Sequence, residues 1–258
     1  IAGGPAITNP APFGLFFDAV LIGEGEGEFG KVVNECLHRK KKSSAAGRDN
    51  RGRLLEVFKS REAWWYADKK EKTRASVWSG FGKEPLRYTY YPVPNIKSAQ
   101  DHGVIEIMRG CRQGCRFCHA GYFYRPCREK KIGDIVREAE DLIYTFGYRE
   151  ITLSSLSSGD YSGIWELLQT LNSRFAKEKV SFSLPSLRIE SFTLNNLKEL
   201  SIVRKSGLTF AVETPAEFDQ KVLNKEVERE KIKEILRQAK TLGWKQAKFY
   251  FMIGMPTP

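Results

Sequence analysis

The sequence predicts an α/β protein whose larger part is a partial (β/α) barrel, a parallel sheet with helices outside that is curled but not closed. Three observations carry that expectation. From residue 104 onward, short apolar or alternating runs take turns with segments of helical periodicity. Strand–helix–strand crossovers are right-handed, so such a series lays its strands parallel and its helices outside. The polar, glycine-bearing and cysteine-bearing residues fall just after the strands, where barrels of this kind carry their chemistry.

In chain order, residues 19–22 read as a short apolar strand, followed by a glycine turn and a helix over about 26–37. Residues 1–38 are therefore expected to be the tail of an open α/β domain. The alternating Gly and Glu of 23–28 do not make a phosphate loop, because the spaced glycines and the Lys-Ser/Thr are missing and the acids would repel phosphate. "RKKKSSAAGRDNRGR", 39–53, reads as a basic connector, with an RNA-binding arm as the sharper alternative. The aromatic run of 54–91 ("AWWYAD", "VWSGFG", "RYTYYPVPN") predicts short strands or a hairpin. Residues 39–100 thus form a bridging segment. Aromatics among bases can also stack nucleobases.

The third region, 101–258, is regular. "VIEIM" precedes the cysteines. Helices are expected at 132–146, 164–176, 194–205 and 229–242, and strands at 150–155, 180–184, 208–213 and 247–254. In the first of these helices Ile132, Ile135, Val136, Ala139, Leu142, Ile143 and Phe146 recur at three- and four-residue steps. About five of six barrel strands are present. The chain starts without Met and stops after a strand, so it reads as an internal fragment truncated within the barrel.

Composition bounds the function. Of 258 residues 41% are hydrophobic and 28% charged, an ordinary globular balance. No apolar run is long enough to span a membrane. No signal peptide is visible, so the expected compartment is the cytoplasm, where thiols stay reduced and clustered cysteines read as metal or catalytic sites. The formal net charge is +11. Residues 109–131 hold seven bases and one acid, Glu129, which favours an anionic ligand or nucleic acid.

"MRGCRQGCRFCHAGYFYRPC", 108–127, holds four of the five cysteines. The spacing Cys111-x3-Cys115-x2-Cys118 admits several readings. Zinc with His119 as fourth ligand lacks the distant second pair usual in such sites. A c-type haem on Cys115-Arg-Phe-Cys118-His119 leaves Cys111 unexplained and is an attachment made outside the cytoplasm. Simple burial suits three thiols on a basic, glycine-punctuated loop poorly. A [4Fe–4S] cluster held by one thiolate per iron leaves its fourth iron open to a small molecule. Cys127 as a fourth ligand would close that site, and it reads as a spectator.

Cys-x3-Cys-x-aromatic-Cys, with Phe117 before Cys118, resembles the radical SAM superfamily. "LSSLSSGDY", "SLPSLRIESF", "KSGLTFAVET", "LNKEV" and "GWKQAKFYFMIGMPT" extend the resemblance in order and spacing to radical SAM proteins with an N-terminal cobalamin-binding domain. It covers essentially 101–258 and, more weakly, the start of the chain.

The resemblance implies that Cys111, Cys115 and Cys118 ligate the cluster and that S-adenosylmethionine chelates the open iron. Reductive cleavage then gives methionine and a 5′-deoxyadenosyl radical. It implies roles for Ser157, Ser158, Gly159 and Asp160 at the methionine amino group, and for Ser186 and Arg188 after the third strand, with Arg188 on the methionine carboxylate. Glu213 falls where the ribose hydroxyls bind, and Ile253, Gly254 and Met255 beside the adenine. An ion pair with Glu190 is the structural alternative for Arg188, and helix capping past Pro215 that for Glu213. The common Gly-Gly-Glu is absent, and Pro258 stands where a Glu is usual. The expected electron donor is a flavodoxin or ferredoxin. Residues 1–38 alone are expected to bind no cobalamin, which the full-length protein could hold.

Three functions follow. The first is modification of an unreactive carbon, with cobalamin-dependent methylation as one form. The second is RNA modification like that of methylthiotransferases. The third is an Fe–S or zinc binding module without turnover.

Overall fold

The structure is a computed structural model that describes residues 1–43, 50–84, 86–90, 95–96, 98, 101–185, 187–191, 193–205 and 207–255. It divides into two compact units, Ile1–Gly80 and Phe81–Pro258.

In the first unit β1 (Ala2–Gly3) pairs parallel with β2 (Val20–Leu21), and β2 pairs antiparallel with β3 (Trp64–Trp65). Two helices, α1 (Phe29–Ser43) and α2 (Asn50–Lys59), accompany this small sheet. Ala19, Leu21, Val32, Val57, Phe58 and Trp64 form the core. The helix expected at 26–37 starts and ends later, because the Gly-Glu alternation is poor helix material while Lys and Arg extend a helix well. For the same reason the expected connector is largely helical. α1 runs to Ser43, and α2 begins at Asn50 and continues into residues expected as strand. Residues 44–49 lie outside the described residues. After α2, Arg61 bonds Glu28 at 3.0 Å and Glu35 at 3.1 Å, which ties the chain back to α1 and its N-terminal approach.

The second unit begins with β4 (Gly103–Glu106) and the short β5 (Met108–Arg109), followed by α3 (His119–Phe123) and β6 (Arg128–Glu129). Then α4 (Ile132–Glu140), β7 (Glu150–Ser154), α5 (Ile164–Phe175), β8 (Ser181–Ser183), α6 (Leu194–Leu200) and β9 (Leu208–Glu213) alternate. Finally α7 (Glu217–Leu223) and α8 (Arg229–Thr241) lead to β10 (Ala247–Phe251). The strands run parallel as β4–β7–β8 and β9–β10, and one parallel bridge, Leu187 to Phe210, links the two groups. The barrel is not closed.

Strand alternation sorts the two faces. Ile151, Leu153, Phe182, Leu208, Phe210 and Val212 are buried in one core with Leu142, Leu167, Leu171 and Ile235 of the helical layer. Their neighbours Thr152 and Ser183 share a 3.0 Å hydroxyl contact on the other face.

Two helices end earlier than periodicity implies. α4 gives way at Asp141 to a π-helical turn over Asp141–Thr145, where Asp141 accepts two 2.9 Å bonds from Arg87. α6 stops at Leu200, and Ser201 folds back onto the Lys198 carbonyl. Among the described residues no helix is long and apolar enough to cross a membrane.

Candidate active site at the ends of the strands

The cysteine loop leaves the sheet through β5, which pairs antiparallel with β6 and so closes the loop at its base. That base is pinned. Lys130 donates its backbone N–H to Ile107 at 2.9 Å, and its ammonium lies 2.6 and 2.8 Å from the two Glu138 oxygens. The pair is buried, with 3% and 1% of the side chains exposed. Burial pushes the Glu138 carboxyl up against the pull of Lys130. Tyr161 donates its hydroxyl to the Lys130 carbonyl at 2.7 Å, and burial pushes that phenol up to about 12. Gly110 turns the chain with φ +83°. A Cβ there would stand 2.5 Å from the Tyr124 carbonyl oxygen, so only glycine fits.

Each of the three thiols receives a donor. Cys111 Sγ accepts the Gln113 N–H at 3.4 Å, and Cys118 Sγ caps α3 by accepting the Gly121 N–H at 3.3 Å. Arg188 Nη1 lies 3.4 Å from Cys115 Sγ. Burial pushes the Cys111 thiol up, the Gln113 amide opposes this, and Asp160 and the other two cysteines add to it, so the three sulfurs share one electrostatic neighbourhood. Cys127 packs against the hydrophobic core instead.

The far side of the loop is docked on α7. Arg116 donates its N–H to the Leu223 carbonyl at 2.9 Å, and its Nη1 lies 2.7 Å from the carbonyls of both Lys221 and Val222. A cation at the open carbonyls of a helix C-terminus is favourably placed. Asn224, left-handed at φ 53°, caps α7 and donates to the Gly114 carbonyl at 2.9 Å.

The other expected site residues fall around this loop. Ser157 through Asp160 follow β7 in a tight turn. Asp160 Oδ2 accepts from Ser157 Oγ at 2.7 Å and from Gln113 Nε2 at 3.1 Å, which ties the turn to the cysteine loop. Ser158 is fully buried and donates to the Leu153 carbonyl, so its hydroxyl serves the turn. Gly159 is needed for a close approach, since a Cβ would lie 2.9 Å from Ser191 Oγ.

Arg188 Nε is 3.4 Å from Glu190 Oε2, the expected ion pair, yet neither Nε nor either Glu190 oxygen makes a hydrogen bond. Glu213 does not cap α7, where Thr214 Oγ1 instead accepts from the Ala216 N–H. Glu213 Oε1 accepts from Lys225 Nζ at 2.8 Å. Phe117 is 39% exposed, with Lys225 Nζ 5.9 Å from its ring centre. Beyond β10, Ile253 is 95% exposed, Gly254 has φ +72° and Met255 is half-buried. Ser186, with Pro256 and Pro258, lies outside the described residues.

Gln113, Arg116, Asn224 and Lys225 escaped the sequence reading as site residues. "LNKEV" contains two of them, but their roles come from contacts across the fold.

The basic stretch 109–131 is mostly engaged within the protein. Arg109 bonds Glu106, Arg112 bonds Glu129, Arg116 holds α7 and Lys130 holds Glu138. Arg125 lies 4.5 Å from the Tyr122 ring centre and bonds the Gly121 carbonyl, and Arg128 lies 5.7 Å from that of Phe81.

Among the described residues, no three His, Cys, Asp or Glu side chains gather as ligands of one metal ion. A tetrahedral zinc site needs four ligands on a single ion. A cubane needs only that each thiolate reach its own iron. His119, the would-be fourth zinc ligand, stacks on Phe123 at 5.4 Å. Three thiols in one neighbourhood, each with an N–H donor, are a donor set that fits the cluster.

Comparison with known proteins agrees. A family model for the radical SAM superfamily matches residues 105–258, and one for the N-terminal part of radical SAM proteins matches residues 1–65. The uncharacterised protein MJ0966 of Methanocaldococcus jannaschii is 29% identical over 100% of this chain and 52% of its own length. A tRNA-2-methylthio-N(6)-dimethylallyladenosine synthase of Parabacteroides distasonis is 28% identical over 55% of this chain and 33% of its own. The chain thus spans about half the length of the first relative and a third of the second. Among solved structures, the cobalamin-dependent S-adenosylmethionine radical enzyme OxsB, with aqua-cobalamin and S-adenosylmethionine bound, shares the fold. Its TM-score is 0.64 at 16% identity, covering 97% of this chain and 36% of that one.

Proposed function

The chain belongs to the radical SAM superfamily, and from that premise we propose that Cys111, Cys115 and Cys118 hold a [4Fe–4S] cluster serving radical modification of an unreactive carbon. When bound, the cluster would supply one electron to S-adenosylmethionine, whose cleavage gives a 5′-deoxyadenosyl radical. The chain's own residues bind and orient. The amides of Gln113 and Gly121 and the Arg188 guanidinium stabilise the thiolates. Arg188 keeps an unbonded Nε beside them, fit for a carboxylate. Asp160 and the Ser157–Gly159 turn face the amino end of the same ligand, Glu213 the ribose, and Ile253 to Met255 the adenine. The observation that carries this reading is the provision of one N–H donor to each of the three sulfurs.

Methylation with cobalamin as the carrier is the favoured chemistry. It rests on the OxsB likeness and on the N-terminal match at residues 1–65. No residue of this chain is assigned to the corrinoid. A reducing, cytoplasmic setting and a low-potential donor such as flavodoxin or ferredoxin suit free thiols and a reducible cluster. RNA modification is the second reading, favoured by the methylthio-synthase relative. The internal engagement of the basic stretch weighs against that stretch as its RNA grip.

The deciding experiment is anaerobic reconstitution followed by reduction with S-adenosylmethionine present. Formation of 5′-deoxyadenosine is expected, and Arg188→Ala should weaken S-adenosylmethionine binding about ten- to hundredfold. A protein holding stoichiometric zinc and forming no deoxyadenosine would replace the proposal with a binding module.

A further inference from the structure

The Glu213–Lys225 pair sits where a carboxylate is wanted, yet one of its oxygens is already occupied. Glu213 ends β9 with a left-handed backbone, φ 68°, a conformation that costs a non-glycine residue energy and collects at functional positions. Two contacts hold it there. Met252 of the β10 end donates its N–H to the Glu213 carbonyl at 2.7 Å, and Lys225 Nζ bonds Oε1 at 2.8 Å. Oε2 makes no hydrogen bond among the described residues.

The lysine is itself fixed. Its side chain is 8% exposed, its N–H bonds the Gln220 carbonyl at 2.9 Å, and Asn224 beside it bonds Gly114 of the cysteine loop. Its ammonium is 5.9 Å from the ring centre of Phe117, which lies between the cluster cysteines Cys115 and Cys118. A buried ion pair is a weak source of stability, because desolvation of both charges offsets their attraction. What such a pair does well is fix geometry.

We propose that Lys225 is a positioning residue for S-adenosylmethionine: it takes one oxygen of Glu213, locks the carboxylate, presents Oε2 to the ribose hydroxyls, and ties that acid to the cysteine loop through Phe117 and Asn224. The inference rests on the reading above. It adds a residue that touches neither the cluster nor the ligand and acts through Glu213.

The test uses the reconstituted holoprotein, with iron content, S-adenosylmethionine affinity by equilibrium dialysis, and the change that S-adenosylmethionine makes in the spectrum of the reduced cluster. Lys225→Met should keep its iron, weaken binding about tenfold or more and blunt the spectral change. Lys225→Arg, which keeps the charge and a donor, should return affinity to within about threefold of the parent. Combining Lys225→Met with Glu213→Gln should cost no more than the worse single change, since the two act as one unit. Lys225→Gln provides the same test should Lys225→Met lose iron.

Unchanged affinity in Lys225→Met, or losses that simply add in the double variant, would overturn the inference while leaving the enzyme reading intact. Iron lost in both Lys225→Met and Lys225→Gln would overturn it too, by making the lysine a support of the loop. A parent protein that holds iron but binds no S-adenosylmethionine would end both.

Discussion

The cysteine loop and the tail of the fifth parallel strand both lie at strand ends in the same unit, and the protein builds them in opposite ways. The loop is closed at its base by β5 and β6, bonded to the β7 turn through Gln113 and Asp160, and docked on α7 through Arg116 and Asn224. The tail has one backbone bond, from Met252 to Glu213, and then Ile253 at 95% exposure and a Gly254 with nothing within 4 Å of its Cβ direction. A segment that must present three thiolates at fixed separations needs its geometry settled beforehand. A segment that only packs on a ligand's flat face does not.

The largest expected effect falls on the loop. Reconstituted parent protein should hold about four irons per chain, and Cys111→Ala, Cys115→Ala or Cys118→Ala should leave almost none. Cys127→Ser and Cys36→Ser should retain the full count. Iron retained by Cys111→Ala but lost by Cys127→Ser would reverse the ligand assignment.

Next comes the loop's base. Lys130→Met strands a buried Glu138 carboxyl, and breaking a buried pair from one side costs about 3–5 kcal/mol. The double change Lys130→Met with Glu138→Leu should recover most of that, as an apolar replacement of similar size removes both desolvation penalties. Urea unfolding midpoints decide it. A double variant as weak as the single would mean that the pair does more than neutralise itself.

The sequence showed the triad and not its support, for a physical reason. Thiol spacing is local, so Cys111, Cys115 and Cys118 announce themselves, and five parallel strands were visible as alternation or apolar runs. The supports are set by contacts across the chain. Arg116 meets carbonyls about a hundred residues away, and "EFDQKVL", which forms α7, is too short for a 3.6-residue period to show. The basic stretch carried its charge openly, but the acids that take it up, Glu106, Glu129 and Glu138, become partners only once β4–β6 and α4 pack. The expected connector was misread because composition outweighed propensity. Polar, basic residues were taken for loop when Lys and Arg are good helix formers.

Arg116→Ala should be a smaller change than Lys130→Met. It removes two side-chain bonds to the end of α7, worth about 1–3 kcal/mol of local stability, and leaves the thiols in place. The expected outcome is normal iron content at reconstitution and about a tenfold faster loss of iron to a chelator. Loss as slow as in the parent would show that the α7 docking is not what holds the loop.

The smallest effect belongs to the tail and separates folding from binding. Ile253 touches little of its own chain, so Ile253→Ala should change stability by no more than about 0.5 kcal/mol. Beside the adenine, the same truncation would remove roughly 1 kcal/mol of apolar burial, equivalent to about fivefold in S-adenosylmethionine affinity. Its iron content and chelator rate should match the parent, in contrast to Arg116→Ala. The comparison therefore turns on two measurements of one variant. Stability unchanged with affinity reduced places the ligand's apolar face on the tail. Stability and affinity both unchanged would withdraw Ile253 from the site and leave the adenine to be held elsewhere.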